Sequence, residues 1–87
     1  MKKVYKYELA IDDYVSISMP KGSKILHLDL QYGRPFIWAL VDPDAEEETR
    51  NFRVAGTGHE IGDTYCQRYI GSFMLMNGAL VFHVFEY

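Results

Sequence analysis

Apolar and polar residues alternate along most of this chain with a period of two, which is the spacing of a half-buried β-strand. The segment YVSISM (14–19) shows it cleanly, with Val15, Ile17 and Met19 on one side and mainly polar residues on the other. Six more segments alternate in this way or form apolar runs bounded by turn residues: VYKYEL (4–9), ILHLDLQY (25–32), PFIWALV (35–41), NFRVA (51–55), YIGSFMLM (69–76) and ALVFHVFEY (79–87). We therefore predict an all-β fold, a small antiparallel meander of six to seven strands that forms a barrel or a two-layer sandwich.

No segment shows the 3.6-residue period of an amphipathic helix. The best helical candidate is a single turn over 43–48, where Asp42 would cap the N-terminus and Pro43 would take the first helical position. The 87 residues are expected to form one domain, residues 1–87, because a second stable core would not fit into this length.

The first predicted hairpin indicates a recognition surface. If Gly33 and Arg34 form a two-residue loop, Leu28 faces Ala39, and Leu26, Leu28 and Leu30 belong to an apolar core face. The opposite face then mixes aromatic and polar side chains, which is typical of binding sites. The candidate ligand-binding residues on that face are His27, Asp29, Gln31, Phe36 and Trp38.

The last hairpin indicates self-association. Asn77-Gly78 favours a type I′ turn, and the resulting pairing gives two largely apolar faces. Strands of this kind are covered on both sides, so we expect a homo-oligomer in which a second copy covers one face. The residues expected at that interface are Phe73, Leu75, Leu80, Phe82 and Val84.

Charge and composition narrow the classes of partner. The net charge of −3 provides no basic face, so direct nucleic-acid binding is not expected. The single Cys66 suits a reducing cytoplasm, and no apolar run is long enough to cross a membrane. The acidic segment 42–48 is expected to be a solvated loop, and the alternative is a contact surface for a basic partner.

The stretch FRVAGTGHEIGD (52–63) contains the turn Gly56-Thr57-Gly58-His59, whose small residues could receive an anion. It lacks the lysine and the following helix of a phosphate-binding loop, so a simple connecting turn is the alternative. If the ligand is a nucleotide, Trp38 or Phe36 would stack on its base. Arg53, Thr57 and His59 would then meet its phosphate.

Metal binding and catalysis have little support. His27 and Asp29 have the spacing of two neighbouring ligands, but a zinc site needs three or four, so no metal and no cofactor are expected. Cys66 is interpreted as a partly buried structural thiol, and His83 as a core residue paired with Ser72. We expect no enzymatic activity.

Three segments resemble a known family: WALVDPDA (38–45), FRVAGTGH (52–59) and YIGSFML…GALVFHVFE (69–86). With the KYEL start, they make nearly the whole chain similar to a family of short phage, prophage and bacterial proteins that is a domain of unknown function. The resemblance supplies no catalytic residues. It implies a small viral accessory protein of the kind that modulates host defence.

The resulting hypothesis is a non-catalytic, homo-oligomeric binding protein of the host cytoplasm. It would sequester a small nucleotide-like ligand or a host protein. The alternatives are a virion or scaffold component, for which assembly is the function, and a small hydrolase that uses His59 with Glu60 or Asp63.

Overall fold

In the computed structural model, which describes residues 1–87, seven strands form two antiparallel sheets that pack face to face. The strands are β1 (Lys3–Glu8), β2 (Tyr14–Pro20), β3 (Lys24–Gln31), β4 (Arg34–Val41), β5 (Glu47–Gly56), β6 (Arg68–Leu75) and β7 (Leu80–Glu86). The only other regular elements are two single 3₁₀ turns, Asp63–Tyr65 and Met76–Gly78. The all-β prediction is confirmed, and the sandwich is the correct one of the two alternatives.

The strand order places distant segments next to one another. The three-stranded sheet has the order β1-β4-β3 and the four-stranded sheet the order β2-β5-β7-β6. Only β3–β4 and β6–β7 are hairpins of consecutive strands, so the connectivity departs from a simple meander. The chain crosses between the sheets after β1, β2 and β4, and these crossings bring the apolar faces of the two sheets together.

The first hairpin turns one residue earlier than predicted. Tyr32 and Gly33, with φ of 53° and 75°, occupy the two loop positions, and Leu28 faces Ile37 instead of Ala39. This shift of two residues in pairing keeps the side chains from His27 onward on their predicted faces. A bulge between Ile25 and His27 moves Leu26 out of the ladder, and 46% of Leu26 is exposed, so its placement in the core was wrong.

The second hairpin follows the prediction near its turn. Asn77 and Gly78 have φ of 56° and 88°, as a type I′ turn requires, and Phe73 pairs with Phe82. A bulge between Tyr69 and Gly71 changes the pairing beyond that point. As a result Tyr69, and not Ile70, lies opposite Phe85.

The core lies between the sheets and takes residues from every strand or the loop beside it. Its buried members are Leu9, Val15, Met19, Leu28, Ile37, Ala39, Val41, Phe52, Val54, Phe73 and Val84. Two of the five residues predicted at an interface between copies, Phe73 and Val84, are therefore buried inside the monomer. Leu75 and Phe82 pack against this core, so only Leu80 of the five is exposed.

The acidic segment contains no helical turn. The Asp42 carboxylate accepts a hydrogen bond from the Asp44 N–H at 3.0 Å, and the Asp42 carbonyl accepts one from the Ala45 N–H at 3.1 Å. These bonds close a tight turn, after which Glu47 already belongs to β5, so the helical prediction was wrong. Asp44 and Glu46 are exposed, as predicted for a solvated loop.

One largely buried ion pair connects β5 with β7. The Arg50 guanidinium donates to both carboxylate oxygens of Glu86, and its Nη1 donates to the Ser23 carbonyl at 2.6 Å. The hydrogen bond to Glu86 raises the pKa of Arg50 above its ordinary value. The pair therefore joins β5, β7 and the turn after β2. The chain contains no helix of the length and apolarity that a membrane crossing requires.

Candidate functional site: a cleft at the glycine turn

The structure contains one cavity, of about 320 Å³, at the end of the four-stranded sheet where β5 stops and β7 begins. One wall is the Gly56-Thr57-Gly58-His59 turn, and the other is the start of β7 with the residue before it. The lining residues are Gly56, Thr57, His59, Ala79, Leu80, Val81 and Phe82. The glycine turn therefore bends the chain and also shapes a cleft.

The turn is held by its own backbone. The His59 N–H donates to the Gly56 carbonyl at 3.1 Å, and Gly58 has a φ of +85°, a region that side-chain-bearing residues rarely adopt. The Thr57 N–H donates to the Val81 carbonyl at 3.2 Å, which fixes the turn to β7. Two of the amides that an anion would need are therefore already bonded within the protein.

The absence of a side chain at Gly56 determines where His59 lies. A Cβ at position 56 would be 2.9 Å from Cε1 and 3.1 Å from Nδ1 of His59, so the imidazole occupies that space. Gly56 lies directly opposite Phe82 in the ladder. The imidazole therefore lies on the same face of the sheet as Phe82, and both residues line the cleft.

A chain of three hydrogen-bonded side chains supports the polar wall. His83 Nε2 is 2.8 Å from the Thr57 hydroxyl, and His83 Nδ1 is 3.1 Å from the Tyr69 hydroxyl. His83 lies opposite Ser72 as predicted, but its ring is half-buried on the outer face and bonds to other partners. The interpretation of His83 as a core residue satisfied by Ser72 was therefore wrong.

Sequence reasoning missed this chain because its members are far apart along the sequence. Thr57 and His83 are separated by 26 residues, and they meet only because β5 pairs with β7. The bulge in β6 sets the pairing of Tyr69. The one usable signal was the strong Asn77-Gly78 turn. It correctly predicted how Phe82 and His83 pair with β6, but it contains no information on their pairing with β5.

Arg53 serves the fold and does not line the cleft. Only 8% of the residue is exposed, and its guanidinium donates to the carbonyls of Asp13, Val54 and Glu60. The guanidinium carbon lies 5.2 Å from the centre of the Tyr14 ring, while Nε has no hydrogen-bond partner. The side chain thus ties the segment after β5 to the turn before β2.

The five residues predicted on β3 and β4 do come together, on the outer face of the three-stranded sheet. The His27 and Phe36 rings lie 6.0 and 6.1 Å from the Trp38 ring, centre to centre. Lys6 of β1 joins them, with Nζ 4.7 Å from the centre of the Phe36 ring and 2.6 Å from Gln31 Oε1. Asp29 completes the set, with Oδ2 3.4 Å from His27 Nε2.

The predicted ligand-binding residues therefore divide between separate surfaces. Trp38 and its neighbours point away from the second sheet, whereas Thr57 and His59 line the cleft at the end of that sheet. A single small ligand cannot stack on Trp38 and also contact Thr57. No cluster of three potential metal ligands exists, and Cys66 is half-buried as predicted, with Sγ 3.6 Å from the Asp63 carbonyl oxygen.

These features define a small two-sheet sandwich with one cleft at its end. All 87 residues match the model of a family described as a domain of unknown function, DUF7352, and the chain belongs to that family. No curated protein matches the chain, and no solved structure matches it.

Proposed function

We propose that this protein is a non-catalytic binding protein and that the cleft is its ligand site. One observation carries the proposal: the single cavity is walled by the glycine turn whose composition suits close approach to a ligand. Apolar walls with a few placed polar groups are typical of small-molecule sites, whose volumes are about 300–1,000 Å³. The cleft has this make-up, with Thr57 and His59 as its polar side chains.

The proposed setting is the cytoplasm of a bacterial host. The resemblance of WALVDPDA and FRVAGTGH to segments of phage and prophage proteins supports an accessory role there. Such a protein would antagonise host defence by sequestering a small ligand, which requires tight binding but no turnover.

Native mass spectrometry tests the cleft directly. Protein incubated with the small-molecule fraction of a bacterial extract is expected to carry extra mass that denaturation releases. Gly56→Ala, which displaces His59, is expected to lose this mass, and Trp38→Ala on the outer face of the other sheet is expected to keep it. A wild-type protein without added mass would overturn the proposal. If Gly56→Ala kept the added mass, the ligand would bind somewhere other than the cleft.

A second candidate function is the capture of a host protein by the outer face of the three-stranded sheet. The observation that favours it is the contact of Trp38 with two further rings, beside the cation of Lys6. Aromatic and cationic side chains of this kind dominate the binding energy of many protein interfaces. A partner retained from host lysate by Gly56→Ala but lost by Trp38→Ala would support this function over the first.

We also propose that the protein forms a homo-oligomer. The β6–β7 hairpin supports this, because β6 is an edge strand and Met74, Met76 and Leu80 are exposed on or beside it. The same native spectrum gives the number of subunits. A monomer at every concentration would exclude the oligomer, whereas a closed oligomer that never carries a ligand would favour a scaffold role.

A further inference from the structure

We infer that the cleft recognises a planar, uncharged nitrogen heterocycle of the nucleobase type. This inference rests on the proposed function, since it names the class of ligand for the same site. It follows from four properties of the cleft: the rings of His59 and Phe82 in its lining, the absence of lysine and arginine from that lining, the presence of Thr57 and the volume.

The walls suit a flat ring. His59 and Phe82 are the two ring-bearing residues of the cleft lining, and Phe82 stacks on Phe73, whose ring centre is 5.3 Å away at an interplanar angle of 25°. Aromatic rings attract other rings through stacked and tilted contacts. Every nucleobase presents a π-face, so this contact favours the class without selecting one base.

The charges disfavour a phosphate. None of the seven lining residues is lysine or arginine. Arg53 is buried and donates to backbone carbonyls, and the amides of Thr57 and His59 already donate to the carbonyls of Val81 and Gly56. A phosphate placed here would lose water without gaining a lysine or arginine partner, which is unfavourable. The ring of a nucleotide-like ligand therefore suits the cleft better than its phosphate does.

The Thr57 hydroxyl supplies a directed hydrogen bond. A neutral imidazole carries one N–H, so His83 either donates to Thr57 or accepts from it. In the first case the hydroxyl retains a hydrogen to donate, and in the second it retains lone pairs to accept an N–H. The edge of a nucleobase carries both kinds of group, so a base bound beside Thr57 offers a complementary group with either tautomer of His83.

The volume limits the size of the bound group. A cavity of about 320 Å³ lies at the lower end of the range for small-ligand sites, about 300–1,000 Å³. One ring system with a small substituent fits, and the remainder of a larger ligand would extend into solvent.

The test uses four probes, adenosine, guanosine, cytidine and uridine, with ribose 5-phosphate as the control that has a sugar and a phosphate but no base. Binding is measured by ligand-observed NMR and calorimetry. We expect at least one nucleoside to bind and ribose 5-phosphate not to bind. Thr57→Val should weaken nucleoside binding by about tenfold, the effect of one lost hydrogen bond, while Thr57→Ser should retain it.

Trp38→Ala is the control for the other surface and should bind nucleosides as the wild type does. Ribose 5-phosphate binding as tightly as the nucleosides would overturn the inference in favour of an anion site. If no nucleoside binds but the native spectrum shows a mass that Gly56→Ala loses, the inference fails and the proposed function stands. If no nucleoside binds and the native spectrum shows no added mass, both the inference and the proposed function fail.

Discussion

At the scale of single residues, the contact between His59 and Gly56 is the most sensitive feature of the cleft. Gly56→Ala would place a Cβ 2.9 Å from the His59 ring, and a flexible side chain in such a contact moves away. We predict that affinity for a cleft ligand falls more than tenfold, while the free energy of unfolding changes by less than about 1 kcal/mol. Calorimetric titration and urea unfolding measure the two quantities.

Gly71→Ala is a matched control in the same sheet. Its Cβ would lie 3.4 Å from Leu28 Cδ2, which is close to ordinary packing, and Gly71 is not among the residues that line the cleft. Affinity is expected to stay at the wild-type value. An equal loss of affinity in both variants would point to a general disturbance of the sheet instead of the displacement of His59.

At the scale of elements, the β3–β4 turn is strained by its sequence. Tyr32 adopts φ of 53° although it has a bulky side chain, and 95% of it is exposed. The left-handed region costs such a residue roughly 1–2 kcal/mol, whereas Asn-Gly is a preferred type I′ pair. Tyr32→Asn is therefore expected to raise the free energy of unfolding by about 0.5–1 kcal/mol, measured by urea denaturation.

The control for this turn is Tyr32→Phe, which keeps the bulky side chain and the backbone strain. We expect its stability to equal that of the wild type. If the two variants were equally stabilised, the gain would come from the loss of the hydroxyl group and not from relief of the turn.

At the scale of the whole molecule, the pair of Arg50 and Glu86 closes one end of the core. Their side chains are only 15% and 11% exposed, so Glu86→Ala would leave a largely buried cation with Glu48 alone, whose Oε1 is 3.6 Å from Arg50 Nη1. We expect a loss of about 3 kcal/mol of unfolding free energy, the lower end of the range for a broken buried pair. The exposed pair of Arg34 and Glu8 offers the comparison, and Glu8→Ala should cost less than about 1 kcal/mol. Equal costs in urea unfolding would contradict the structural role of Arg50.

Tyr7 makes the whole sandwich sensitive to alkaline pH. Burial raises the pKa of Tyr7, and the charge of Glu47 and the neighbouring Tyr5 raise it further. The unfolded chain loses the Tyr7 proton near pH 10, before the folded protein does, so stability is full below that pH. It is lost as the pH rises toward the higher folded pKa.

We predict that Tyr7→Phe reduces the fall in unfolding free energy above about pH 10. The measurement is urea unfolding at a series of alkaline pH values. Tyr32→Phe, which removes an exposed tyrosine instead, serves as the control and should leave the fall unchanged. An alkaline fall of the same size in Tyr7→Phe would show that this residue does not govern it.

The sequence by itself determined the local features of this protein. Strict alternation placed Val15 and Met19 inward, and the Asn77-Gly78 pair correctly indicated a turn with two positive φ angles. It also brought His27 and Trp38 onto one face, even with the loop misplaced by one residue, because a register shift of two preserves the faces. The alternation of side chains and the preferences of turn residues act between near neighbours. The sequence of a single strand or hairpin is therefore enough to predict which face a side chain occupies and where the chain turns.

The tertiary structure alone decided which strands are neighbours within each sheet, and this order of strands forms the cleft. The ladder of β5 with β7 brings Thr57 to His83 and places Phe82 opposite Gly56, while Trp38 lies on another surface. Bulges at Leu26 and Ile70 re-aim residues without any sign in the alternation. Contacts between distant segments depend on how apolar faces fit together in space. All strands share the same period of two, so the alternation does not identify which strands become neighbours.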